Sequence, residues 1–207
     1  MLTVYHLNES RSTRVLWLLE ELALPYDIVF HQRDSQTNLA PDSLQKVHPL
    51  GKSPVLQDGD TVVIESGAIL DYLVRRHGNG RLAPAESSPD WPRYVQLLHY
   101  AEGSAMLPVM LKLYLSRLGE AGAPLGPRVT SEIENHFGFL DGELAGRDFF
   151  VGKGLTAADV NLTFVLQAGR LLHGLQKFPN LAAFLERMQA RPAYQRALER
   201  GGPYAFG

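Results

Sequence analysis

The sequence predicts an α/β domain followed by an all-α domain, and three observations carry this prediction. Residues 1–78 read in the order strand, helix, strand, short helix, strand, strand, helix. Residues 79–90 are rich in Gly, Pro and Ser, which is typical of a linker. Residues 91–207 show helical spacing of apolar side chains and no convincing strand. We therefore expect one domain over residues 1–78 and a second over residues 91–207.

The N-terminal domain is expected to begin with a β-α-β unit. Leu2–Leu7 and Tyr26–His31 are rich in β-forming residues, and apolar side chains recur at helical spacing between Val15 and Leu22. Pro25 would end that helix. Because the two strands are joined by a helical crossover, they should pair in parallel.

The same domain is expected to end with a hairpin and a helix. Pro54–Gln57 and Thr61–Ile64 are short apolar runs separated by an Asp-Gly pair, which is a strong turn signal. Before them, residues 42–47 make at most a short helix. After them, a helix should begin near Ser66.

Five helical segments are expected in the second domain. They cover residues 91–118, 128–145, 157–172, 180–190 and a short stretch after Pro192. Pro108 should bend the first segment, since proline removes a helical hydrogen bond. Residues 119–127 should form a loop. Thr156 and Asp159 have the spacing of a capping box, which would open the third helix.

Composition excludes several kinds of site and partner. The chain has no cysteine, so it has neither disulfides nor a catalytic thiol of its own. Its 20 basic and 22 acidic residues give a net charge of −2, which does not indicate binding to nucleic acid or to an anionic membrane. No apolar run reaches the ~18 residues of a membrane span, and no signal peptide is evident. We expect a cytoplasmic protein without a nucleic-acid or membrane partner.

Two further patterns are rejected as sites. Residues 146–154 (GRDFFVGKG) have five residues before the Gly-Lys pair, and a glycine where a phosphate loop needs Ser or Thr. The seven histidines show no metal-ligand spacing, so we expect no metal.

Residues 51–70 (GKSPVLQDGDTVVIESGAIL) contain the features that point to a ligand. Pro54 opens a strand, either as a trans edge proline or with a cis Ser53-Pro54 bond that would turn the Ser53 backbone toward a peptide-like ligand. Glu65 and Ser66 stand at a helix N-terminus. They either cap the helix or hold the ammonium and carboxylate of a ligand. As ligand groups they indicate a zwitterionic, peptide-like molecule.

The order of several segments resembles the cytosolic glutathione S-transferase family, as a bacterial, serine-type-like member. The matching segments are SRSTRVLWLLEEL (10–22), HPLGKSPVL (48–56), ESGAILDYL (65–73), GLTAADV (154–160) and RPAYQRAL (191–198). The resemblance covers nearly the whole chain. It implies a thioredoxin-like N-terminal domain with a cis-proline, a helical second domain, a homodimer, and glutathione as co-substrate.

The resemblance also implies which residues bind glutathione. Ser53, next to Pro54, would hold the backbone of the cysteinyl residue. Glu65 and Ser66 would hold the γ-glutamyl end, and Lys52 would hold the glycine carboxylate.

Three hydroxyl groups are candidates for stabilising the glutathione thiolate. Ser10 is the first, because it lies between the first strand and the first helix. Ser12 is the second and could equally cap the helix. Tyr5 is the third, at a position that resembles tyrosine-type members. Arg11 either assists or is a solvated charge, and in many serine-type members the serine aligns one position earlier, at Glu9.

The sequence thus predicts an enzyme that binds reduced glutathione, stabilises its thiolate and adds it to an electrophilic small molecule. Tyr100, Met106 and Tyr114 of the second domain either line an apolar electrophile pocket or belong to the core. Two alternatives stay open: glutathione-dependent disulfide reduction, and a non-catalytic transferase-like protein that binds proteins or sequesters apolar ligands.

Overall fold

The computed structural model describes residues 1–202, 204 and 205. These residues form two compact units. Unit 1 consists of Met1–Ala83 and Gln189–Ala205, and unit 2 consists of Pro84–Met188. The first boundary falls within the predicted linker. The assignment of residues 189–205 to unit 1 differs from the prediction of a single second domain that runs to the C-terminus.

Unit 1 is built on a four-stranded sheet with the strand order β2-β1-β3-β4. The strands are β1 (Leu2–Leu7), β2 (Tyr26–His31), β3 (Val55–Asp58) and β4 (Thr61–Ile64). β1 and β2 are parallel, whereas β3 pairs antiparallel with both β1 and β4. The predicted β-α-β unit and hairpin are therefore confirmed. β3 begins one residue later than predicted, because Pro54 has no N–H to give to the ladder.

The helices confirm the predicted α/β and all-α regions. They are α1 (Ser12–Leu22), α2 (Ser66–His77), α3 (Trp91–Tyr100), α4 (Met106–Leu118), α5 (Gly126–Glu143), α6 (Ala157–Leu172), α7 (Pro179–Gln189) and α8 (Pro192–Gly201). Short 3₁₀ segments cover Asp42–Leu44 and Gly119–Leu125, and the second of these lies in a predicted loop. In the described ranges, no helix is long and apolar enough to cross a membrane.

α8 belongs to unit 1 because it is fastened to α1. The rings of Trp17 and Tyr194 meet edge to face, with 5.3 Å between their centroids. Arg191 donates two hydrogen bonds to the carboxylate of Glu21, at 2.6 and 3.0 Å. α1 also contacts β1 and α2, which explains why nearly all of its residues are buried. α8 therefore packs within unit 1, whereas the prediction placed it in the second domain over residues 91–207.

The predicted helix over residues 91–118 is interrupted by a π-helical segment, Ala101–Ala105. The N–H of Met106 donates to the carbonyl of Ala101, five residues earlier, as in a π-helix. The departure from regular α-helix therefore lies before Pro108, at Ala101–Ala105. A proline ring clashes with the carbonyl four residues before it, and for Pro108 that carbonyl lies inside the π-helical segment.

α6 begins with the predicted capping box, which is confirmed. Asp159 accepts hydrogen bonds from the N–H of Thr156 at 2.8 Å and from its hydroxyl at 2.7 Å. It also accepts from the N–H of Phe150 at 2.8 Å. Burial raises the pKa of the Asp159 carboxyl to about 6, although these three donors act in the opposite direction.

Two glycines of unit 2 allow a matched test of its packing. Gly169 of α6 lies so close to Phe137 of α5 that a Cβ would overlap the ring, whereas a Cβ at the exposed Gly138 would have no atom within 4 Å. We expect Gly169→Ala to lower the free energy of unfolding by about 1–3 kcal/mol through overpacking. Gly138→Ala should raise it by about 0.5–1 kcal/mol through helix propensity. Urea unfolding checks both values, and equal stability of the two variants would contradict the close α5–α6 approach.

Candidate functional site

Three segments of unit 1 meet at one edge of its sheet. Val55, the first residue of β3, lies opposite Ile64, the last residue of β4. It also lies opposite Tyr5 of β1. The Ser-Pro pair before β3 therefore stands beside the Glu-Ser pair after β4 and near the end of β1. The hairpin register alone brings the two sequence-predicted pairs together.

The Ser53-Pro54 peptide bond is cis, as the family resemblance implied. The hydroxyl of Ser53 donates to the carbonyl of Tyr5 at 3.0 Å, which fastens this segment to β1. The ladder of β3 begins at Val55, and among the described residues no backbone group pairs with the N–H or carbonyl of Ser53. The Ser53 backbone is thus available to a ligand that carries peptide groups of its own.

Glu65 is exposed at the N-terminus of α2 and has an unusual backbone conformation. Its φ is 68°, in a region that few non-glycine residues adopt. It occupies the N-cap position without a side-chain capping bond, and its carboxylate has no partner within the described part of the chain. Ser66 is buried as the first residue of α2. Strained residues of this kind cluster at functional sites, and an exposed, unpaired carboxylate suits a cationic ligand group.

Two positive features also lie at this edge. Lys52 is exposed directly before Ser53, and it forms no ion pair with any described residue. The first N–H groups of α2 have no helical acceptor, so this helix end favours an anion. One carboxylate, one ammonium and a helix N-terminus complement a zwitterion with a second carboxylate. Among the residues that the structure describes, no cluster of three or more His, Asp or Glu could hold a metal ion.

The two serine candidates lie largely inside unit 1. The hydroxyl oxygen of Ser10 is 2.7 Å from the carbonyl oxygen of Leu7 and 2.7 Å from the hydroxyl oxygen of Ser12. The Ser12 oxygen is 2.9 Å from Nδ1 of His6. Ser12 is completely buried, whereas Ser10 keeps 6% of its surface exposed. Of the two serines, only Ser10 therefore has any surface that a ligand could contact.

The other two thiol-site candidates differ from the serines in their surroundings. The hydroxyl of Tyr5 donates to Oε1 of Gln57 at 2.7 Å, within the strands of the sheet. Arg11 is the N-cap residue of α1 and is half-exposed. Arg11 therefore lies directly after Ser10, at the start of α1. The Tyr5 hydroxyl is instead engaged by Gln57 of the neighbouring strand β3.

His6 is a functional candidate that the sequence interpretation missed. It lies on the same buried face of β1 as Leu2 and Val4 and is 3% exposed. Burial lowers the pKa of its imidazole, and a hydrogen bond to the backbone of Gly201 acts in the opposite direction. An imidazole at a core position of a strand needs hydrogen-bond partners, and that is the signal that could have identified it.

Residues distant in the sequence also form hydrogen bonds with the loop between β1 and α1. Glu9 has a φ of 50°, and its carboxylate accepts a hydrogen bond from the N–H of Ala205 at 2.9 Å. The guanidinium of Arg33 donates to the carbonyls of Asn8 and Glu9, both at 3.2 Å. These contacts lie far apart in the sequence, and the sequence interpretation missed them.

The three electrophile-pocket candidates lie in unit 2. The hydroxyl of Tyr100 is 2.5 Å from Nδ1 of His136, and burial raises the pKa of Tyr100 to about 12. Met106 is buried in the interior of the unit, and Tyr114 is 53% exposed. Their role in a pocket stays a prediction.

Comparison with known proteins gives matches along most of the chain. Residues 1–75 match the model of the glutathione S-transferase N-terminal domain, and residues 101–192 match that of the C-terminal domain. Glutathione S-transferase 3 of Schizosaccharomyces pombe is 31% identical over 97% of this chain and 88% of its own length. The crystal structure of a glutathione S-transferase from Actinobacillus pleuropneumoniae is 33% identical, with a TM-score of 0.87 over 97% of this chain and 93% of that one. A sphingomonad glutathione S-transferase solved in complex with glutathione is 25% identical, with a TM-score of 0.80 over 97% of this chain and 98% of that one.

Proposed function

Because this chain belongs to the glutathione S-transferase family, we propose that the sheet edge of unit 1 is its glutathione site. Glutathione is a tripeptide with one ammonium group, two carboxylates and a thiol. The observation that carries the proposal is the Glu65 carboxylate, which is exposed, unpaired within the described chain, and brought by the hairpin register beside Ser53-Pro54.

Each part of the tripeptide has a group of matching chemistry at this edge. The backbone of Ser53 would pair with the cysteinyl residue as an added strand does. Glu65 would hold the γ-glutamyl ammonium, and Ser66 with the first N–H groups of α2 would hold the γ-glutamyl carboxylate. Lys52 would hold the glycine carboxylate.

The chemistry required of the site is to ionise the thiol and to position it. A thiol with an ordinary pKa of about 8.5 is only ~3% thiolate at pH 7. Ser10 would donate a hydrogen bond to the thiolate sulfur. The thiolate then forms a bond to the electrophilic atom of the second substrate, whose leaving group departs with its electron pair. Tyr100, Met106 and Tyr114 remain our candidates for the apolar contacts of that substrate.

Lowering the thiol pKa yields only a modest gain in rate. A decrease of ~2 pKa units raises the thiolate fraction at pH 7 about 25-fold. The nucleophilicity of sulfur falls about 8-fold over the same interval, so the net gain is about 3-fold. Most of the acceleration must therefore come from holding the two reactants together.

Glutathione conjugation to 1-chloro-2,4-dinitrobenzene tests this function. We expect product formation by the wild-type chain, and a decrease of about 3-fold in kcat/KM at pH 7 for Ser10→Ala. Ser87→Ala removes an exposed serine of unit 2 and should have no effect.

The same protein samples test the two alternative functions. Reduction of 2-hydroxyethyl disulfide by glutathione without any conjugation would indicate a disulfide reductase. Binding of glutathione with neither reaction would indicate a non-catalytic binding protein.

The resemblance to cytosolic members also implies a homodimer in the cytoplasm. Light scattering should then give twice the chain mass of 23.0 kDa. A mass of one chain at micromolar concentration would contradict the dimer.

A further inference from the structure

A buried chain of hydrogen bonds leads from the Ser10 loop to the end of α8. The hydroxyl oxygens of Ser10 and Ser12 are 2.7 Å apart, and the Ser12 oxygen is 2.9 Å from Nδ1 of His6. The imidazole also bonds to the backbone of Gly201, the last residue of α8. A Cβ at Gly201 would stand 3.3 Å from the His6 ring, so a glycine there permits the close approach.

The hydroxyl hydrogens of these hydrogen bonds point from Ser10 toward His6. Since Nδ1 of His6 meets Ser12, the other ring nitrogen is the one that donates to the carbonyl of Gly201. In the neutral ring Nδ1 is then an acceptor. It lies 2.9 Å from the Ser12 oxygen, whereas the carbonyl of Leu7 lies 3.2 Å away, so the Ser12 hydroxyl gives its single hydrogen to Nδ1. Ser10 in turn gives its hydrogen inward, to Ser12 or to the carbonyl of Leu7. The Ser10 oxygen thus has a lone pair to offer to an approaching donor.

We propose that His6 takes up the proton of the glutathione thiol through the hydroxyls of Ser10 and Ser12. This inference rests on the proposed function. The S–H bond breaks, the sulfur keeps the electron pair, and the proton binds to the Ser10 oxygen. The original hydrogen of Ser10 passes to the Ser12 oxygen, and that of Ser12 passes to Nδ1, so that His6 becomes an imidazolium.

The same transfer turns Ser10 into a donor. After it, the hydroxyl of Ser10 points toward the thiolate, that of Ser12 points toward Ser10, and the Nδ1–H of His6 points toward Ser12. Once the conjugate has left, the proton returns to water along the same path. His6 touches no substrate atom, so it is a positioning residue that acts through the two serines.

The surroundings of His6 favour a neutral ring in the absence of ligand. Ser12 of α1, Phe30 of β2 and Gly201 of α8 lie next to it, and none of them carries a charge. Burial lowers the pKa of the imidazole, which keeps Nδ1 free to accept a proton. The imidazolium forms only together with the thiolate, and the two opposite charges stabilise each other in a site of low polarity.

The test counts the protons that leave the protein when glutathione binds. Reduced glutathione is titrated at pH 7 in phosphate and in Tris, whose ionisation enthalpies differ, and the thiolate is followed by its ultraviolet absorbance. We expect thiolate to form on binding without a net release of protons to the buffer. Release of one proton for each thiolate formed, or no thiolate at all, would overturn the proposal.

Two variants interrupt the path at different points. His6→Asn keeps a hydrogen-bonding side chain that cannot take up a proton, and Ser12→Ala removes the middle hydroxyl. In both, we expect the thiolate fraction of bound glutathione at pH 7 to fall to that of the free thiol, roughly 3%. His99→Asn replaces an exposed histidine of unit 2 and should behave as wild type. Wild-type thiolate fractions in either folded variant would overturn the proposal.

Binding of S-methylglutathione separates this inference from the proposed function. That ligand has no thiol proton, so its affinity should be the same for the wild type, His6→Asn and Ser12→Ala. Circular dichroism confirms that the variants are folded. A wild-type protein that fails to bind S-methylglutathione would overturn the glutathione site itself, and the proton path with it.

Discussion

Replacing Asp159 with alanine is expected to lower the free energy of unfolding by about 3–5 kcal/mol. The substitution leaves three buried donors without their acceptor, namely the N–H of Phe150 and the N–H and hydroxyl of Thr156. It also removes the capping box at the start of α6, a helix that is buried along most of its length. Urea unfolding followed by circular dichroism measures the loss.

Asp148→Ala is the matched control. The side chain of Asp148 is 78% exposed and lies 3.7 Å from Arg187, so its removal should cost about 0–1 kcal/mol. A loss of that small size for Asp159→Ala would show that the buried carboxylate is not the acceptor on which the start of α6 depends.

The stability difference between wild type and Asp159→Ala should also depend on pH. Burial raises the pKa of the folded carboxyl to about 6, above its ordinary value of 3.8. A raised folded pKa contributes stability that is fully present below pH 3.8 and is lost as the pH rises through about 6. We therefore expect the difference to shrink by about 1 kcal/mol between pH 5 and pH 7.5. A difference that grows over this interval would mean that the three hydrogen-bond donors outweigh burial.

Replacing Glu65 with alanine is expected to weaken the binding of reduced glutathione about 100-fold, which corresponds to ~2.7 kcal/mol. A hydrogen bond between the carboxylate and the γ-glutamyl ammonium is charge-assisted at both ends, so its loss is larger than that of a neutral contact. The carboxylate has no partner within the described chain, so the loss should appear in affinity rather than in stability. Calorimetric titration with parallel thermal unfolding separates the two effects.

Asp60→Ala is the control for this prediction. Asp60 is an exposed acid at the other end of β4, in the hairpin turn, and its removal changes the net charge equally. Its glutathione affinity should equal that of the wild type. Equal affinities for Glu65→Ala and Asp60→Ala would remove Glu65 from the site.

Much of the fold could be predicted because its signals act over short distances. β1, β2 and β4 have the predicted ends, since runs of β-forming residues and turn residues can be recognised from a few consecutive positions. The place of α8 could not be predicted in this way. Its ion pair between Arg191 and Glu21 joins residues 170 positions apart, and helical spacing shows which face is apolar but not which element covers it.

The candidate site likewise has features that could be predicted from the sequence and features that could not. Pro54 and Glu65 were recognisable because each has a local signal in the sequence, a proline at the start of a strand and an acid at the start of a helix. The directions of the Ser10 and Ser12 hydroxyls were not, because they depend on His6 and through it on Gly201 at the far end of the chain. His6 itself occupies an ordinary core position of β1, and only its packed neighbours show that its ring nitrogens are both engaged.

The most direct test of the glutathione site is a calorimetric titration of the wild-type chain with reduced glutathione and, separately, with cysteinylglycine. Cysteinylglycine lacks the γ-glutamyl residue, so it has no γ-glutamyl ammonium for Glu65 and no γ-glutamyl carboxylate for the N-terminus of α2. We expect saturable binding of glutathione below millimolar concentration and no measurable heat from cysteinylglycine. Equal affinity for the two peptides, or no heat from glutathione at millimolar concentration, would contradict a glutathione site at this edge of the sheet.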